Sequence, residues 1–176
     1  MTVIIDDAGV GDLLFGAVIG AFRSRTQEFS YEILDVKYFR PPRFDRKEYL
    51  KQDSKIAFKL LGKLKLNPDE PVYICRGYIF DEAVKDLIRK YGSNRIFRVK
   101  VTGEPQFLTE TAYLDEIRNL GYSPLEERDK KRAKSFFHMM KWLKKNPDKL
   151  RYAKTGWPRL SRYRIFRKYH QSRSKE

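Results

Sequence analysis

Val3-Ile4-Ile5-Asp6-Asp7-Ala8-Gly9-Val10-Gly11 is the stretch around which the rest of the chain is ordered. Its apolar, mainly β-branched start predicts a buried strand. Asp6 and Asp7 then fall at the C-terminal end of that strand, where sites gather in α/β sheets. Two carboxylates beside a backbone made flexible by Gly9 and Gly11 predict a divalent-cation site, because magnesium takes hard oxygen ligands and needs only one or two protein carboxylates. The alternative is a strand that ends in a polar turn with solvated acids.

The residues after this stretch predict two more strands, over residues 13–23 and 31–39, which form an antiparallel meander with the first. After Pro41 and Pro42 the pattern changes to alternating helices and strands. The predicted helices cover residues 46–65, 80–91 and 109–120, and the predicted strands cover Val72–Cys75 and residues 95–101. We expect each of these last two strands to be parallel to its neighbour, because each follows a helix in a right-handed crossover. The sequence therefore predicts an α/β fold.

Positive charge is concentrated at the C-terminal end of the chain. The 176 residues carry a net charge of +15, and residues 129–176 supply +14 of it through 17 lysines and arginines against three acids. A strongly basic segment favours nucleic acid as the partner. We therefore predict a nearly neutral domain over residues 1–125, followed by a basic helix and arm over residues 126–176.

The basic end interleaves aromatic residues with cations. Residues 126–145 predict a helix whose apolar side is Phe136, Phe137, Met140 and Leu143. Aromatic rings stack on bases while Lys and Arg neutralise phosphates, a combination that favours single strands over a duplex. The candidate nucleic-acid contacts are Lys141, Lys145, Arg151, Tyr152, Trp157, Arg159, Arg162 and Arg164. The alternative is an arm that builds a homo-oligomer by burying its aromatic residues against another subunit.

The composition argues against a membrane or an oxidising compartment. The apolar run over residues 13–22 is too short to span a bilayer, and the N-terminus lacks the basic region of a signal peptide. Cys75 is the single cysteine, so an intramolecular disulfide is excluded. We expect a cytoplasmic protein with no membrane partner.

The motif and the element order resemble the RNase H superfamily. Asp6-Asp7-Ala8-Gly9-Val10-Gly11 is similar to the opening of type-2 ribonuclease H, which has Asp-Glu-Ala-Gly-Arg-Gly. The element order agrees over roughly the first 120 residues, and the chain is also similar to small archaeal RNase H-fold nucleases that act on single-stranded DNA. The resemblance implies a five-stranded mixed sheet in the order 3-2-1-4-5, with the site around the first strand.

The same resemblance implies a nuclease in which carboxylates hold two Mg²⁺ or Mn²⁺ ions and water attacks the phosphodiester in line. It makes Asp6 the bridging ligand and Asp7, in place of the family's glutamate, the second ligand. Glu48 matches the carboxylate that type-1 members carry in the first turn of the helix after the third strand, although it also fits a capping box with Asp45 as N-cap. Asp115, in the helix after the fifth strand, matches the last carboxylate. The competing acids are Asp81, Glu82, Glu104 and Glu110.

The chain departs from the family at two places. Cys75-Arg76-Gly77 stands where the family has an acid at the end of the fourth strand, and Arg76 there is a candidate for binding the scissile phosphate. Val10 replaces an arginine in the loop that helps type-2 enzymes recognise the ribose 2′-hydroxyl, which weakens RNA–DNA hybrid specificity. We therefore predict a metal-dependent nuclease that cleaves single-stranded nucleic acid, either as an exonuclease or as an endonuclease. DNA is the favoured substrate and RNA is the alternative. A non-catalytic single-strand-binding protein on the same scaffold is the alternative, and the missing acid favours it.

Overall fold

A computed structural model describes residues 2–128 and 130–170, and it contains a five-stranded mixed sheet. The strands are β1 (Val3–Ala8), β2 (Ala17–Arg23), β3 (Glu28–Leu34), β4 (Val72–Cys75) and β5 (Ile96–Val99). Their order is β3-β2-β1-β4-β5. Strand β1 is antiparallel to β2 and β2 to β3, whereas the β1–β4 and β4–β5 pairs are parallel. The predicted α/β class, mixed sheet and strand order are therefore confirmed.

Four α-helices accompany the strands in the described residues: α1 (Glu48–Lys63), α2 (Asp81–Tyr91), α3 (Glu104–Asn119) and α4 (Arg132–Lys145). Short 3-10 helices cover Val36–Phe39, Tyr78–Phe80, Pro147–Tyr152, Pro158–Arg162 and Arg164–Tyr169. Within the described ranges, no helix combines the length and the apolar character that crossing a bilayer requires.

Three predicted strands have different bounds in the structure, and the fifth is Ile96–Val99 rather than residues 95–101. The second strand begins at Ala17 rather than at residue 13, because Phe15 has φ +65° and cannot continue an extended strand. The third strand ends at Leu34, since the Asp35 side chain accepts the Lys37 backbone N–H and starts a 3-10 helix instead.

The helix starts also differ from the predictions. Turns precede α1, which begins at Glu48, so the predicted capping box with Asp45 as N-cap is wrong. Helix α3 begins at Glu104 rather than at residue 109, because Pro105 is tolerated in a first helical turn. Helix α4 begins at Arg132 rather than at residue 126, and Glu127 just before it has φ +54°.

The chain divides into two compact units. Counted over their described residues, unit 1 is Met1–Val10, Ala17–Leu34 and Tyr49–Tyr113, and unit 2 is Gly11–Gly16, Asp35–Glu48 and Leu114–Glu176. These bounds differ from a simple division after residue 125, because two earlier segments join the C-terminal one in unit 2.

Unit 1 contains the whole sheet, and all seven residues of β2 are buried. Helix α1 presents Ile56, Ala57, Leu60 and Leu61 to the core of this unit. Arg23, at the end of β2, binds the buried Glu70 carboxylate through two hydrogen bonds of 3.0 Å. This packing fixes the strands whose C-terminal ends carry the predicted acids.

Candidate functional site

Asp6 and Asp7 lie in the last half of β1, as the sequence predicts. Asp6 is buried opposite Gly20 of β2, and Asp7 is half-buried. Burial raises the pKa of the Asp6 carboxyl, although a hydrogen bond from the Cys75 thiol and one from the Asp7 backbone N–H partly oppose the rise. A buried carboxylate whose charge is disfavoured is the kind of group that a bound cation would stabilise.

Cys75 joins the two acids because β4 is parallel to β1 and both strands end at the same edge of the sheet. One potential ligand atom each from Asp6, Asp7 and Cys75 lies within 4.8 Å of the others. Burial raises the pKa of the Cys75 thiol to about 12, and the charges of Asp6 and Asp7 add to the effect. The thiol is therefore protonated at neutral pH and donates to Asp6 rather than acting as a nucleophile.

Asp53 is the site residue that the sequence reasoning missed. It lies on α1 with 0% of its surface exposed, and neither carboxylate oxygen has a hydrogen-bond partner among the described residues. Burial and the nearby charge of Asp7 raise the pKa of Asp53 well above its ordinary value. The signal was present in the sequence, since Asp53 falls on the apolar side of the helix, four residues after Tyr49 and three before Ile56.

We call Asp6, Asp7, Asp53 and Cys75 the acidic cluster; all four belong to unit 1. The backbone of the β4–α2 connection approaches it closely, because a Cβ atom on Gly77 would lie 3.0 Å from Asp7 Oδ1. A side chain at this position would therefore press on the Asp7 carboxylate, and glycine avoids that contact.

Two side chains border the acidic cluster. Tyr78 is 52% exposed and packs edge-on against Tyr49, with 6.4 Å between ring centroids. Burial, Tyr49 and the charge of Asp7 together raise the pKa of the Tyr78 hydroxyl. Arg98 donates to the Gly77 carbonyl at 2.7 Å, which fixes the connection, while Arg76 is exposed. Tyr78 thus offers an accessible aromatic ring at the border of the acidic cluster, and Arg76 offers a cation next to Cys75 in the sequence.

The structure gives the other predicted carboxylates cationic partners. In unit 2, Glu48 pairs with Arg43 and with Arg46 at 2.7 Å, and Asp115 pairs with Arg118 at 3.0 Å. Among the competing acids, Asp81 pairs with Arg98 and Glu82 with Lys85, whereas Glu104 is exposed in the first turn of α3 and Glu110 is half-buried. Asp6 and Asp7 are thus the predicted ligands that the structure brings together, and Asp53 is the acid it adds.

Helix α4, in unit 2, presents cations on one side and apolar residues on the other. Ser135, Met139, Met140 and Leu143 are buried. Phe137, which the sequence analysis places on the apolar side, is instead 51% exposed. Lys134, Phe137, Lys141, Lys144 and Lys145 share an arc of about 100°, since successive helical residues are rotated by 100°. We call these five residues the basic face of α4.

The segment after α4 packs within unit 2 as a structured element rather than as a free arm. Its backbone bonds to the 11–16 segment, where Phe15 N donates to Tyr152 O at 2.7 Å and Lys154 N to Leu13 O at 2.9 Å. Lys154 has 0% of its surface exposed, and its Nζ donates to the Asp12 carbonyl at 2.7 Å. The Asp12 carboxylate binds Arg128. Residues 171–176 of the predicted arm lie outside the described residues.

The predicted nucleic-acid contacts of this segment differ in accessibility. Arg151, Arg159, Arg162 and Arg164 are exposed, whereas Tyr152 and Trp157 are half-buried. The Arg151 guanidinium lies 5.0 Å from the centroid of the Tyr152 ring, and that of Arg159 lies 5.1 Å from the Trp157 ring. Each of these aromatic residues is therefore already covered in part by an arginine.

Comparisons with protein-family models, with curated proteins and with solved structures find no match for this chain.

Proposed function

We propose that this protein is a metal-dependent nuclease of RNase H-like fold that hydrolyses phosphodiester bonds in single-stranded nucleic acid, with DNA favoured. The observation that carries the proposal is the carboxylate of Asp53, which is fully buried, has no hydrogen-bond partner in the described chain and faces the charge of Asp7. A buried acid in this setting is costly unless a cation compensates it. A divalent ion held by the acidic cluster would supply that compensation.

The donor set of the acidic cluster fits Mg²⁺ or Mn²⁺. Asp6 and Asp7 offer hard carboxylate oxygens that lie close together, and such ions need only one or two of them in addition to water and phosphate oxygens. Asp53 adds a buried carboxylate near enough for the charge of Asp7 to raise its pKa. When bound, the ion would lower the pKa of a bound water and neutralise charge on the reacting phosphate. Glu48 and Asp115 stay predicted ligands from the family resemblance, and their arginine pairs would have to open for them to bind an ion.

The protein's own side chains would position the substrate around this ion. Arg76 is exposed next to the end of β4, and its guanidinium is suited to two hydrogen bonds with a phosphate. Tyr78 presents an accessible ring beside Asp7, where it is suited to contact a sugar or a base. Hydrolysis adds water across the P–O bond, so that one product carries the phosphate and the other the released hydroxyl.

The charge distribution supports nucleic acid as the substrate. Residues 129–176 carry +14, and the exposed cations on α4 and after it could neutralise phosphates along a strand. A cytoplasmic location and a homo-oligomer formed through the C-terminal segment stay predictions.

A non-catalytic single-strand-binding protein is the second candidate, and the identity of Cys75 favours it. The residue at the end of β4 offers a protonated thiol instead of the carboxylate that an RNase H-like enzyme would have there. This candidate predicts nucleic-acid binding without metal-dependent products.

Replacing Asp6 by Asn tests the proposal. We expect cleavage of a labelled single-stranded oligonucleotide in Mn²⁺ to fall by on the order of 100-fold or more, since charge stabilisation in the transition state is lost. Binding of the same strand in EDTA should be unchanged, because the basic surface is intact. The measurement is the rate of product formation on a denaturing gel, beside a fluorescence anisotropy titration.

The matched control is Asp69→Asn, an acid-to-amide change at an exposed turn position, which should cleave at the wild-type rate. Cleavage that survives in Asp6→Asn would contradict the assignment of Asp6. Absence of products from the wild-type protein in both Mn²⁺ and Mg²⁺, with binding retained, would favour the second candidate.

A further inference from the structure

We propose that Phe137 is a stacking platform for an unpaired base, and that the basic face of α4 binds the backbone on either side of that base. This inference rests on single-stranded nucleic acid as the partner in the proposed function, but not on cleavage. It concerns unit 2 alone.

The solvent exposure of Phe137 is unusual for a helix that has an apolar side available. Residues 135, 139, 140 and 143 of α4 are buried, yet the Phe137 ring is 51% exposed on the opposite, lysine-rich side. Leaving half of a large aromatic side chain exposed forgoes part of the free energy that its full burial would supply. A single exposed ring is common on protein surfaces, so the argument depends on what surrounds it.

Neighbouring rings hold the side chain of Phe137 in place. The Phe136 ring forms a T-shaped contact with it at 5.4 Å between centroids, and the Tyr163 ring forms another at 6.3 Å. Phe136 is in turn covered by the Arg159 guanidinium, 5.5 Å from the ring centroid. Because these contacts order the side chain while 51% of Phe137 stays exposed, the arrangement presents a pre-ordered π-surface to a ligand.

The charges around Phe137 favour a polyanion as the occupant. Lys134 precedes it by three residues and Lys141 follows it by four, so both lie on adjacent turns of the same face. Helix α4 contains no acidic residue, and among the described residues no ion pair involves Lys134, Lys141 or Lys144. An aromatic ring between unneutralised cations matches the alternation of base and phosphate along a single strand.

A duplex fits this surface less well, because its bases are already stacked on one another and cannot cover the ring. A second copy of the chain also fits less well, since the lysines of two basic faces would repel each other. The geometry therefore selects an unpaired strand, and the stacking is sequence-tolerant because every base has a π-face.

The test is the affinity of the full chain for a fluorescein-labelled 12-nucleotide single strand in EDTA, where no metal-dependent cleavage occurs. We expect Phe137→Ala to weaken binding by about 5- to 150-fold, which corresponds to the 1–3 kcal/mol of one stacked base. Phe137→Leu should weaken binding similarly because it keeps bulk but lacks a π-face, whereas Phe137→Trp should bind at least as tightly as wild type. The slope of log K against log salt should be unchanged in all three variants, because no phosphate contact is lost.

The matched control is Phe107→Ala. Phe107 is 67% exposed on α3, but its neighbours at three residues' distance are Glu104 and Glu110, so its replacement should leave affinity unchanged. A strand with abasic sites throughout should bind wild type and Phe137→Ala equally.

Four results would overturn the inference. Equal binding of the 12-nucleotide strand by wild type and Phe137→Ala would show that no base stacks on the ring. Weaker binding of the abasic strand by Phe137→Ala than by wild type would show that the ring contacts the backbone instead of a base. Sedimentation that shows a wild-type oligomer broken by Phe137→Ala would identify a second copy as the occupant. If wild type binds no strand at low salt, this inference and the proposed substrate both fail, while metal binding by the acidic cluster is measured separately.

Discussion

The acidic cluster of unit 1 and the basic face of α4 in unit 2 place their charges in opposite surroundings. The carboxyls of Asp6 and Asp53 are buried, and burial raises both of their pKa values. Lys134 and Lys141 are exposed to solvent. The comparison shows that burial disfavours the charged form of the first group unless a cation compensates it, whereas the exposed cations of the second group stay hydrated at little cost. Ligand removal should therefore affect folding stability at the first region and only association at the second.

The largest expected effect in this comparison is on metal-dependent stability. At Mn²⁺ concentrations about 100-fold above the dissociation constant, binding should stabilise the wild-type protein by about 2.7 kcal/mol, or a rise in Tm of about 5–10 °C. Asp53→Asn should lose most of this rise, because a buried ligand becomes neutral. Differential scanning calorimetry with Mn²⁺ and with EDTA measures both values.

Asp69→Asn is again the matched control and should show the wild-type rise in Tm. If Asp53→Asn gains as much stability from Mn²⁺ as wild type does, the buried acid has no part in metal binding. The expected dependence of folding stability on metal at the acidic cluster would then be wrong.

A smaller effect is expected on the pH dependence of the metal-free protein. The pKa of Asp53 is higher in the folded state than in the unfolded chain, where it is about 3.9. The folded protein therefore holds this proton more tightly, and the contribution of Asp53 to stability is full below pH 3.9 and is lost as pH rises through the folded pKa. Relative to wild type, Asp53→Asn should become progressively more stable as pH rises over that window.

Urea unfolding in EDTA at a series of pH values measures this difference. Subtracting the Asp53→Asn curve from the wild-type curve removes the acids that both proteins share, including Glu28, Glu32 and Glu127, whose lowered pKa values act in the opposite direction. Parallel curves would contradict a raised pKa of Asp53.

The smallest effect is expected from single lysines of the basic face of α4. Lys141→Gln should weaken single-strand binding uniformly across sequences and reduce the salt slope by about 0.7, the value for one phosphate contact on a single strand. Lys55→Gln, an exposed change on α1 in unit 1, serves as the control. If Lys141→Gln shows the same dependence of log K on log salt as wild type, this lysine does not contact a phosphate.

The sequence predicted the sheet because the β-branched runs and the alternation of helices and strands are local signals. It predicted Asp6 and Asp7 together for the same reason, since adjacent residues need no folding to be neighbours. It missed Asp53 because the burial of a lone acid near Asp7 arises only when helix and strand come together in the fold. It placed Phe137 on the wrong side because α4 has six large apolar or aromatic residues, and Met139, Met140 and Leu143 take the buried positions.

Lys154 has a consequence for how the chain is made. Its ammonium group reaches a carbonyl 142 positions earlier, so the 11–16 segment stays without this anchor until Lys154 has been synthesised. The residues of unit 1 have all been synthesised once Tyr113 has left the peptidyl-transferase centre, whereas unit 2 also needs the residues that follow α4. Removing the chain from residue 146 onward would therefore leave unit 2 incomplete as well as less basic, and neutralising cations one at a time is the cleaner way to examine strand binding.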